Sequence, residues 1–170
     1  LEADEAQRDR AAGLKAARAV FYEGEIAERI VSFCRNTAVR DASGEAHTGL
    51  LSMEDFVAYE ARFEEPVATD YRGVRVHKCG PWTQGPVLLQ SLNLLEGFDL
   101  AAMGHNSADY IHTVVECMKL AYADREFYYG DPQFADPPLA RLLCKEYAAE
   151  RRKLVDAKKA SKELRPGWHE

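Results

Sequence analysis

Residues Gly80–Phe134 read GPWTQGPVLLQSLNLLEGFDLAAMGHNSADYIHTVVECMKLAYADREFYYGDPQF and place two apolar segments between a turn and an Asp-Pro stop. Pro86 at a first-helical-turn position and Gly97 after the last leucine predict one helix, whose dense apolar surface needs burial on most sides. A longer second helix is predicted from Asn106, a suitable cap, to Gly130. Its inner face should carry Ile111, Val114, Val115, Met118 and Tyr122.

Three helices and a loop are predicted in residues 5–62. Periodic apolar residues indicate amphipathic helices at about Glu5–Tyr22 and at Glu25–Asn36, and the polar segment Thr37–Gly49 reads as an exposed loop. A Ser52–Asp55 capping box should begin a short helix that runs to about Arg62.

A β-hairpin and a last helix complete the predicted organisation. Val67–Thr69 and Val74–His77 flank the turn Asp70–Gly73, which is typical of a hairpin. The final helix is expected at about Leu139–Lys159 as a solvated helix with interleaved charges. The fold class is therefore α+β, helix-rich with one β-hairpin, and residues 1–170 are treated as a single segment.

Composition limits the classes of partner. The chain has 170 residues, of which 46% are hydrophobic, and this is enough for one core. With 22 basic and 28 acidic residues the net charge is −6, so the chain should repel nucleic acid. No apolar run approaches the roughly 20 residues that span a bilayer, and the first residues lack a signal-peptide pattern.

The cysteines Cys34, Cys79, Cys117 and Cys144 form no C-x-x-C pair, which argues against a structural zinc site or a dithiol motif. Three of them lie in apolar helical runs, so we expect buried thiols, an arrangement compatible with a reducing compartment such as the cytoplasm. Cys79 lies in a predicted turn near His77, and this spacing alone does not establish a nucleophile and its base.

Two groups of charged residues are candidates for chemical sites. Asp109, His112 and Glu116 can share one helical face and hold a cation, but a His112–Glu116 hydrogen-bonded pair is favoured because no second ligand cluster is visible. Ala123–Glu126 is interpreted as a structural ion-pair network. Composition leaves a Ser-His-Asp arrangement open, although no G-x-S-x-G elbow occurs. We expect no metal and no cofactor.

The loop before the first apolar helix is the best candidate for a substrate-binding segment. Trp82, Thr83, Gln84 and Gly85 either form a turn and helix cap or line a cleft at a helix N-terminus, where the dipole favours a substrate carboxylate. The structural role is favoured.

Seven short elements occur in fixed order from about Ala17 onward: FYEGEIA (Phe21–Ala27), LSMEDFVAY (Leu51–Tyr59), DYRG (Asp70–Gly73), LNLLEGFD (Leu92–Asp99), AYADR (Ala121–Arg125), GDP (Gly130–Pro132) and RPG (Arg165–Gly167). Together they resemble the late large-subunit region of γ-glutamyltranspeptidases. One departure is GPWTQGP, where many members of the family read PPPSSGG.

The resemblance implies a four-layer αββα fold of an N-terminal-nucleophile hydrolase whose precursor splits into a large and a small subunit. The small subunit then begins with the threonine that attacks a γ-glutamyl amide. That threonine would lie beyond Glu170, so no catalytic residue is assigned here, and the expected partners are the small subunit and a γ-glutamyl substrate. Members of the family are often periplasmic or extracellular.

Two alternatives stay open. The departure at GPWTQGP fits a related β-lactam acylase acting on cephalosporin or glutaryl amides, and a non-catalytic helical scaffold would keep the architecture without chemistry. As an isolated piece of the larger fold, the chain should expose apolar surface where the missing layers pack, so self-association or a non-native arrangement is expected.

Overall fold

A computed structural model describes residues 9–167, which form an α+β arrangement of helices and two small antiparallel sheets. The residues divide into two compact units, the first ending at Arg62 and the second beginning at Phe63. The helices are α1 (Arg10–Tyr22), α2 (Glu25–Asn36), α3 (Met53–Ala58), α4 (Gly85–Leu95), α5 (Leu100–Met103), α6 (Ala108–Tyr128), α7 (Leu139–Leu142) and α8 (Lys145–Arg152). The strands are β1 (Val39–Arg40), β2 (Ala46–His47), β3 (Val67–Tyr71) and β4 (Val74–Lys78).

The first unit contains α1, α2, α3 and the β1–β2 pair. Asp9 caps α1 by accepting the backbone N–H groups of Ala11 and Ala12, both at 3.3 Å. Residues 5–8 of the first predicted helix lie outside the described residues. The prediction that Thr37–Gly49 is only a loop was wrong, because Val39 pairs with His47 and Arg40 with Ala46 in a second hairpin.

Helix α3 begins as the sequence predicts and ends early. Ser52 and Asp55 form the expected capping box, in which Asp55 Oδ2 accepts the Ser52 N–H at 2.8 Å. The helix stops at Ala58, four residues before the predicted end at Arg62, and residues 59–66 have neither helix nor strand.

The second unit begins with the predicted hairpin of β3 and β4. Asp70 pairs with Arg75 and Tyr71 with Val74, so Arg72 and Gly73 form the two-residue turn. Both turn residues have positive φ, 48° at Arg72 and 82° at Gly73, as a type I′ turn requires. Glycine adopts this conformation without steric cost, which explains the position of Gly73.

The core of the second unit lies where α4 and α6 pack together and α8 covers α4. Leu89, Leu120 and Cys117 are almost fully buried there. Burial of each leucine is worth about 1.5–3 kcal/mol. Burial also raises the pKa of Cys117 to about 12, so its thiol is protonated at neutral pH.

Helix α6 buries a different face from the predicted one. Ser107, rather than Asn106, is the N-cap, and the buried positions include the carboxylates Glu116 and Asp124. The predicted inner face is largely exposed: the apolar stripe consists of Ile111, Val115, Met118 and Tyr122, with exposed fractions of 51%, 46%, 40% and 40%. Apolar periodicity located a face that is largely exposed within residues 9–167.

The predicted helix Leu139–Lys159 was also wrong in extent. It is divided into α7 and α8, and Cys144 caps α8 by accepting the Tyr147 N–H at its Sγ, 3.4 Å away. Helix α8 ends at Arg152, where the guanidinium donates to the Asn93 carbonyl oxygen at 2.8 Å. Residues 153–167 continue without regular structure.

The free cysteines differ in burial: Cys117 is buried, Cys34 and Cys144 are partly buried, and Cys79 is exposed. The prediction of buried thiols therefore holds fully only for Cys117. Within residues 9–167, no helix combines the length and apolar character needed to cross a bilayer.

Candidate functional site

The loop before α4 is a tight turn that uses most of its polar groups internally. Thr83 Oγ1 donates to the Gly80 carbonyl at 2.9 Å and accepts the Gly85 N–H at 3.0 Å. Gly85 is buried, and a Cβ there would lie 2.2 Å from the Cys79 carbonyl oxygen. The threonine supplies the expected local hydrogen bonds at the helix start, and the glycine permits a close approach of two backbone segments.

A cleft of about 420 Å³ lies between this loop and the end of α6. Trp82, Thr83 and Gln84 line it, whereas Gly85 does not, so three of the four candidate residues meet there. Trp82 is 57% exposed, and its Nε1 donates to Glu64 Oε2 at 2.7 Å.

The charge of this cleft does not favour a carboxylate ligand. Its charged lining consists of Arg125, Glu126 and Asp131, and Arg125 already pairs with Glu126. Two carboxylates facing one guanidinium oppose the attraction of the α4 dipole for an anion. Thr83 has both of its hydroxyl functions occupied and is not placed as a nucleophile.

A buried polar cluster centred on Asp124 extends well beyond the ion-pair network that the sequence predicts at Ala123–Glu126. Asp124, 1% exposed, accepts from Gln90 Nε2 at 2.9 Å, Tyr147 Oη at 2.9 Å and the Gly167 N–H at 2.8 Å. It also forms a buried ion pair with Arg151 at 3.4 Å. Gln90 is a polar residue among the leucines of the predicted apolar helix, and this is the sequence signal that could have identified part of the cluster.

The buried Tyr147 and the partly buried Tyr129 belong to the same cluster. Burial, with the charge of Asp124, raises the pKa values of Tyr129 and Tyr147. Both therefore stay protonated and serve as donors: Tyr147 donates to Asp124, and Tyr129 donates to Gln90. The arrangement suits a fixed structural network rather than proton transfer.

Glu116, suggested above as a metal ligand, is committed to other partners. Lys119 donates to it, Arg165 Nη2 lies 3.3 Å from Oε2, and the Ser161 N–H lies 3.3 Å from Oε1. Burial opposes its ionisation, but the hydrogen bonds from Lys119 and Ser161 and the charge of Arg165 leave its pKa below the ordinary value. The Glu116 carboxylate is therefore ionised at neutral pH, and both of its oxygens already accept hydrogen bonds.

The favoured His112–Glu116 pair does not form. His112 Nε2 instead lies 2.7 Å from the Asp156 carbonyl oxygen. In the part of the chain that the structure describes, no group of three or more His, Cys, Asp and Glu side chains could hold a metal ion.

Lys145 organises a second polar cluster between α4, α8 and the β3–β4 hairpin. Its Nζ donates to Asn93 Oδ1 at 2.7 Å, to Glu96 Oε2 at 2.6 Å and to the Asp70 carbonyl. Hydrogen bonds from Lys145 and from the Arg72 N–H lower the pKa of Glu96. This cluster fixes the hairpin on the helices.

A serine, an aspartate and a histidine meet at the β1–β2 hairpin in the wrong order for nucleophilic catalysis. Asp41 is central: its Oδ1 accepts from Ser43 Oγ at 2.6 Å and its Oδ2 lies 2.8 Å from His47 Nδ1. These hydrogen bonds lower the pKa of Asp41. A catalytic triad needs histidine between the hydroxyl and the carboxylate, so this exposed group reads as turn structure.

The chain is similar in sequence to known proteins over most of its length. A sequence profile of the Gamma-glutamyltranspeptidase family matches residues 12–169. The Glutathione hydrolase proenzyme of Pseudomonas sp. (strain A14) is 39% identical over 150 residues, which are 86% of this chain and 24% of that protein. The Acylase ACY 1 proenzyme of Pseudomonas sp. (strain SE83) is 38% identical over 116 residues, 68% of this chain and 21% of that protein.

A solved structure is similar over nearly the whole chain. The structure of LmbA2991HD superposes with a TM-score of 0.81 at 48% identity, and the match covers 98% of this chain and 27% of that one. The chain thus spans about a quarter of the length of the relatives it matches. Because the family profile covers residues 12–169 and relatives exceed 30% identity, the chain belongs to the gamma-glutamyltranspeptidase family.

Proposed function

We propose that residues 1–170 form one segment, the C-terminal part of the large subunit of a self-processing enzyme that transfers or hydrolyses γ-glutamyl amides of the glutathione type. The family profile over residues 12–169, together with a share of only 24% of a glutathione hydrolase proenzyme, carries this proposal. In the complete enzyme the segment belongs to an αββα fold of the N-terminal-nucleophile type.

The reacting group lies outside these residues. The buried carboxylates Glu116 and Asp124 are saturated by structural donors, and Thr83 has both hydroxyl functions in use. A threonine at the start of the small subunit attacks the amide carbonyl, and the acyl group passes to water or to an acceptor amine. This segment supports that site.

The loop residues Trp82, Thr83, Gln84 and Gly85 mainly hold the start of α4 against the end of β4. Trp82 and Gln84 are the exposed members, so they are the two that a substrate entering the cleft would meet.

Activity should require the complete precursor. The 170-residue chain alone is expected to give no turnover of a γ-glutamyl anilide, whereas the precursor should split into two subunits and release the anilide. Electrophoresis and absorbance measure the two events. The matched control is a precursor in which the threonine at the new amino terminus is replaced by alanine, which should neither split nor react.

The possible outcomes distinguish the γ-glutamyl enzyme from the acylase and from the non-catalytic scaffold. Turnover by the isolated chain would contradict the proposal, because it would place the nucleophile inside residues 1–170. Preference for a glutaryl or cephalosporin amide over the γ-glutamyl anilide would favour the acylase, a function supported by the similarity to Acylase ACY 1. Intact precursor without turnover would favour the scaffold.

The apolar stripe of α6 is the surface that the rest of the precursor covers, and the small subunit of the same precursor is the proposed partner. Four large apolar side chains, each at least 40% exposed along one helix, form a contiguous patch of the kind that marks an interface. If the precursor is as long as its relatives, about three-quarters of its residues lie outside this chain.

The isolated chain is therefore expected to self-associate through the apolar stripe. Met118→Lys should shift the chain toward the monomer, because a charge in the stripe must be desolvated when two copies pair. Phe134→Lys is the control, since Phe134 is 88% exposed but lies outside the stripe. Sizing by light scattering would test this, and a wild-type chain that is monomeric at about 100 μM, where weak apolar pairs form, would contradict it.

A further inference from the structure

Residues 161–167 have neither helix nor strand, yet two buried carboxylates of α6 tie them down. Glu116 accepts the Ser161 N–H at 3.3 Å and Arg165 Nη2 at 3.3 Å. Asp124, about two turns further along the helix, accepts the Gly167 N–H at 2.8 Å. The path of this segment is therefore set by tertiary contacts rather than by its own secondary structure.

Gly167 is held more firmly than the residues around it. Its N–H donates to Asp124 Oδ1 and its carbonyl accepts from Tyr128 Oη at 2.7 Å, and we call this pair of contacts the Gly167 clamp. A Cβ at Gly167 would lie 2.3 Å from Tyr147 Oη and 2.9 Å from Arg151 Nε. At Gly167 the backbone N–H and C=O are both hydrogen-bonded, and no space remains for a side chain.

The cost of this arrangement suggests a role beyond stability. The side chains of Asp124 and Arg151 are 2% and 8% exposed, and an ion pair buried to this degree gains little net free energy after desolvation. Arg151 Nε, in addition, has no hydrogen-bond partner within residues 9–167. Buried charges are best attested where they enforce one particular geometry, and here that geometry is the direction of the backbone at Gly167.

We propose, on the basis of the function proposed above, that Asp124 and Tyr128 are positioning residues for precursor scission. The Gly167 clamp fixes the point from which the following polypeptide reaches the scissile bond. Scission adds one water across that peptide bond: the carbonyl carbon gains the hydroxyl and becomes a carboxyl group, and the nitrogen gains the proton and becomes the new amino terminus. Such reactions are sensitive to remote displacements of about 1 Å.

The test is the rate of scission of the complete precursor carrying Tyr128→Phe. This change removes one hydroxyl donor from the Gly167 carbonyl with little change of volume. Scission should slow about threefold to tenfold, which is the fold-change expected from one net hydrogen bond. The split enzyme, once formed, should keep the wild-type kcat and KM, because the clamp acts before the active site exists.

Tyr129→Phe is the matched control, since it removes a hydroxyl that donates to Gln90 in the same cluster without touching Gly167. It should leave the scission rate unchanged and lower the thermal midpoint as much as Tyr128→Phe does. Gly167→Ala should slow scission further.

The inference is overturned if Tyr128→Phe precursor splits as fast as the wild type, or if both tyrosine variants slow equally. A wild-type precursor that does not split overturns the proposed function and this inference with it. A variant that splits slowly only because it unfolds would show a lower midpoint than Tyr129→Phe, and this result also counts against a positioning role.

Discussion

Asp124→Ala is expected to lower the free energy of unfolding of the chain by about 3–5 kcal/mol, the range for breaking a buried ion pair by removing one partner. The guanidinium of Arg151, whose side chain is 8% exposed, would be left without its carboxylate. Gln90, Tyr147 and the Gly167 N–H would lose an acceptor at the same time. Urea unfolding followed by circular dichroism at the helical band measures the change.

Glu126→Ala is the control for this substitution, because it removes a carboxylate from the same helix. The Glu126 side chain is 54% exposed and pairs with Arg125 at the surface, so its loss should cost less than about 1 kcal/mol. Asp124→Asn should fall between the two, since the amide keeps an acceptor oxygen but not the charge. A loss below about 1 kcal/mol for Asp124→Ala would contradict a central role for the cluster.

The parts of the fold that were predicted correctly rest on local chemistry. The Ser52–Asp55 capping box, the hairpin turn at Asp70–Gly73 and the helix that opens at Pro86 all appear where the sequence places them. In each case neighbouring residues supply the hydrogen bond or the backbone conformation that sets the boundary. Such signals do not depend on the rest of the molecule.

The face of α6 could not be predicted, because periodicity assumes that the apolar side faces the core. Here the inward side carries Glu116 and Asp124. Glu116 pairs with the nearby Lys119, but the arginines that also compensate the two carboxylates, Arg165 and Arg151, come from distant parts of the chain. Nothing close in sequence to either carboxylate reveals those partners. The predicted apolar face exists, but its proposed cover lies outside these residues.

The candidate site was predicted in part for the same reason. Trp82, Thr83 and Gln84 stand in one loop, so their meeting at the cleft follows from local order. The Asp124 cluster joins α4, α6, α8 and residues 161–167, and the groups that bond Asp124 directly are 23 to 43 residues from it along the chain. Only packing brings them together. The extent of the last helix could not be predicted for a similar reason. After Arg152, side chains from elsewhere in the chain donate to the carbonyl oxygens of Leu154, Asp156 and Ser161, in place of helical N–H groups.

Gly85→Ala is expected to destabilise the chain by about 3 kcal/mol, at the upper end of the usual cost of overpacking. The new Cβ would lie 2.2 Å from the Cys79 carbonyl oxygen and 2.9 Å from Lys78 Cβ. The nearer of the two is backbone and cannot rotate away, so the end of β4 or the start of α4 must move. Alanine is the better helix former by about 1 kcal/mol, and this gain is too small to offset the clash.

Gly80→Ala distinguishes this steric cause from a general requirement for glycine in the loop. A Cβ at Gly80 would meet its nearest atom, Trp82 Cδ1, at 3.7 Å, which is ordinary van der Waals contact. Its effect should stay within about 0.5 kcal/mol, as for substitutions that disturb no specific contact. Equal losses for the two variants in urea unfolding would show that loop flexibility, and not the approach of Cys79 to α4, explains the glycines. A large loss confined to Gly85→Ala would instead establish that the loop is held by backbone contact between β4 and α4, which keeps Trp82 and Gln84 at the mouth of the cleft.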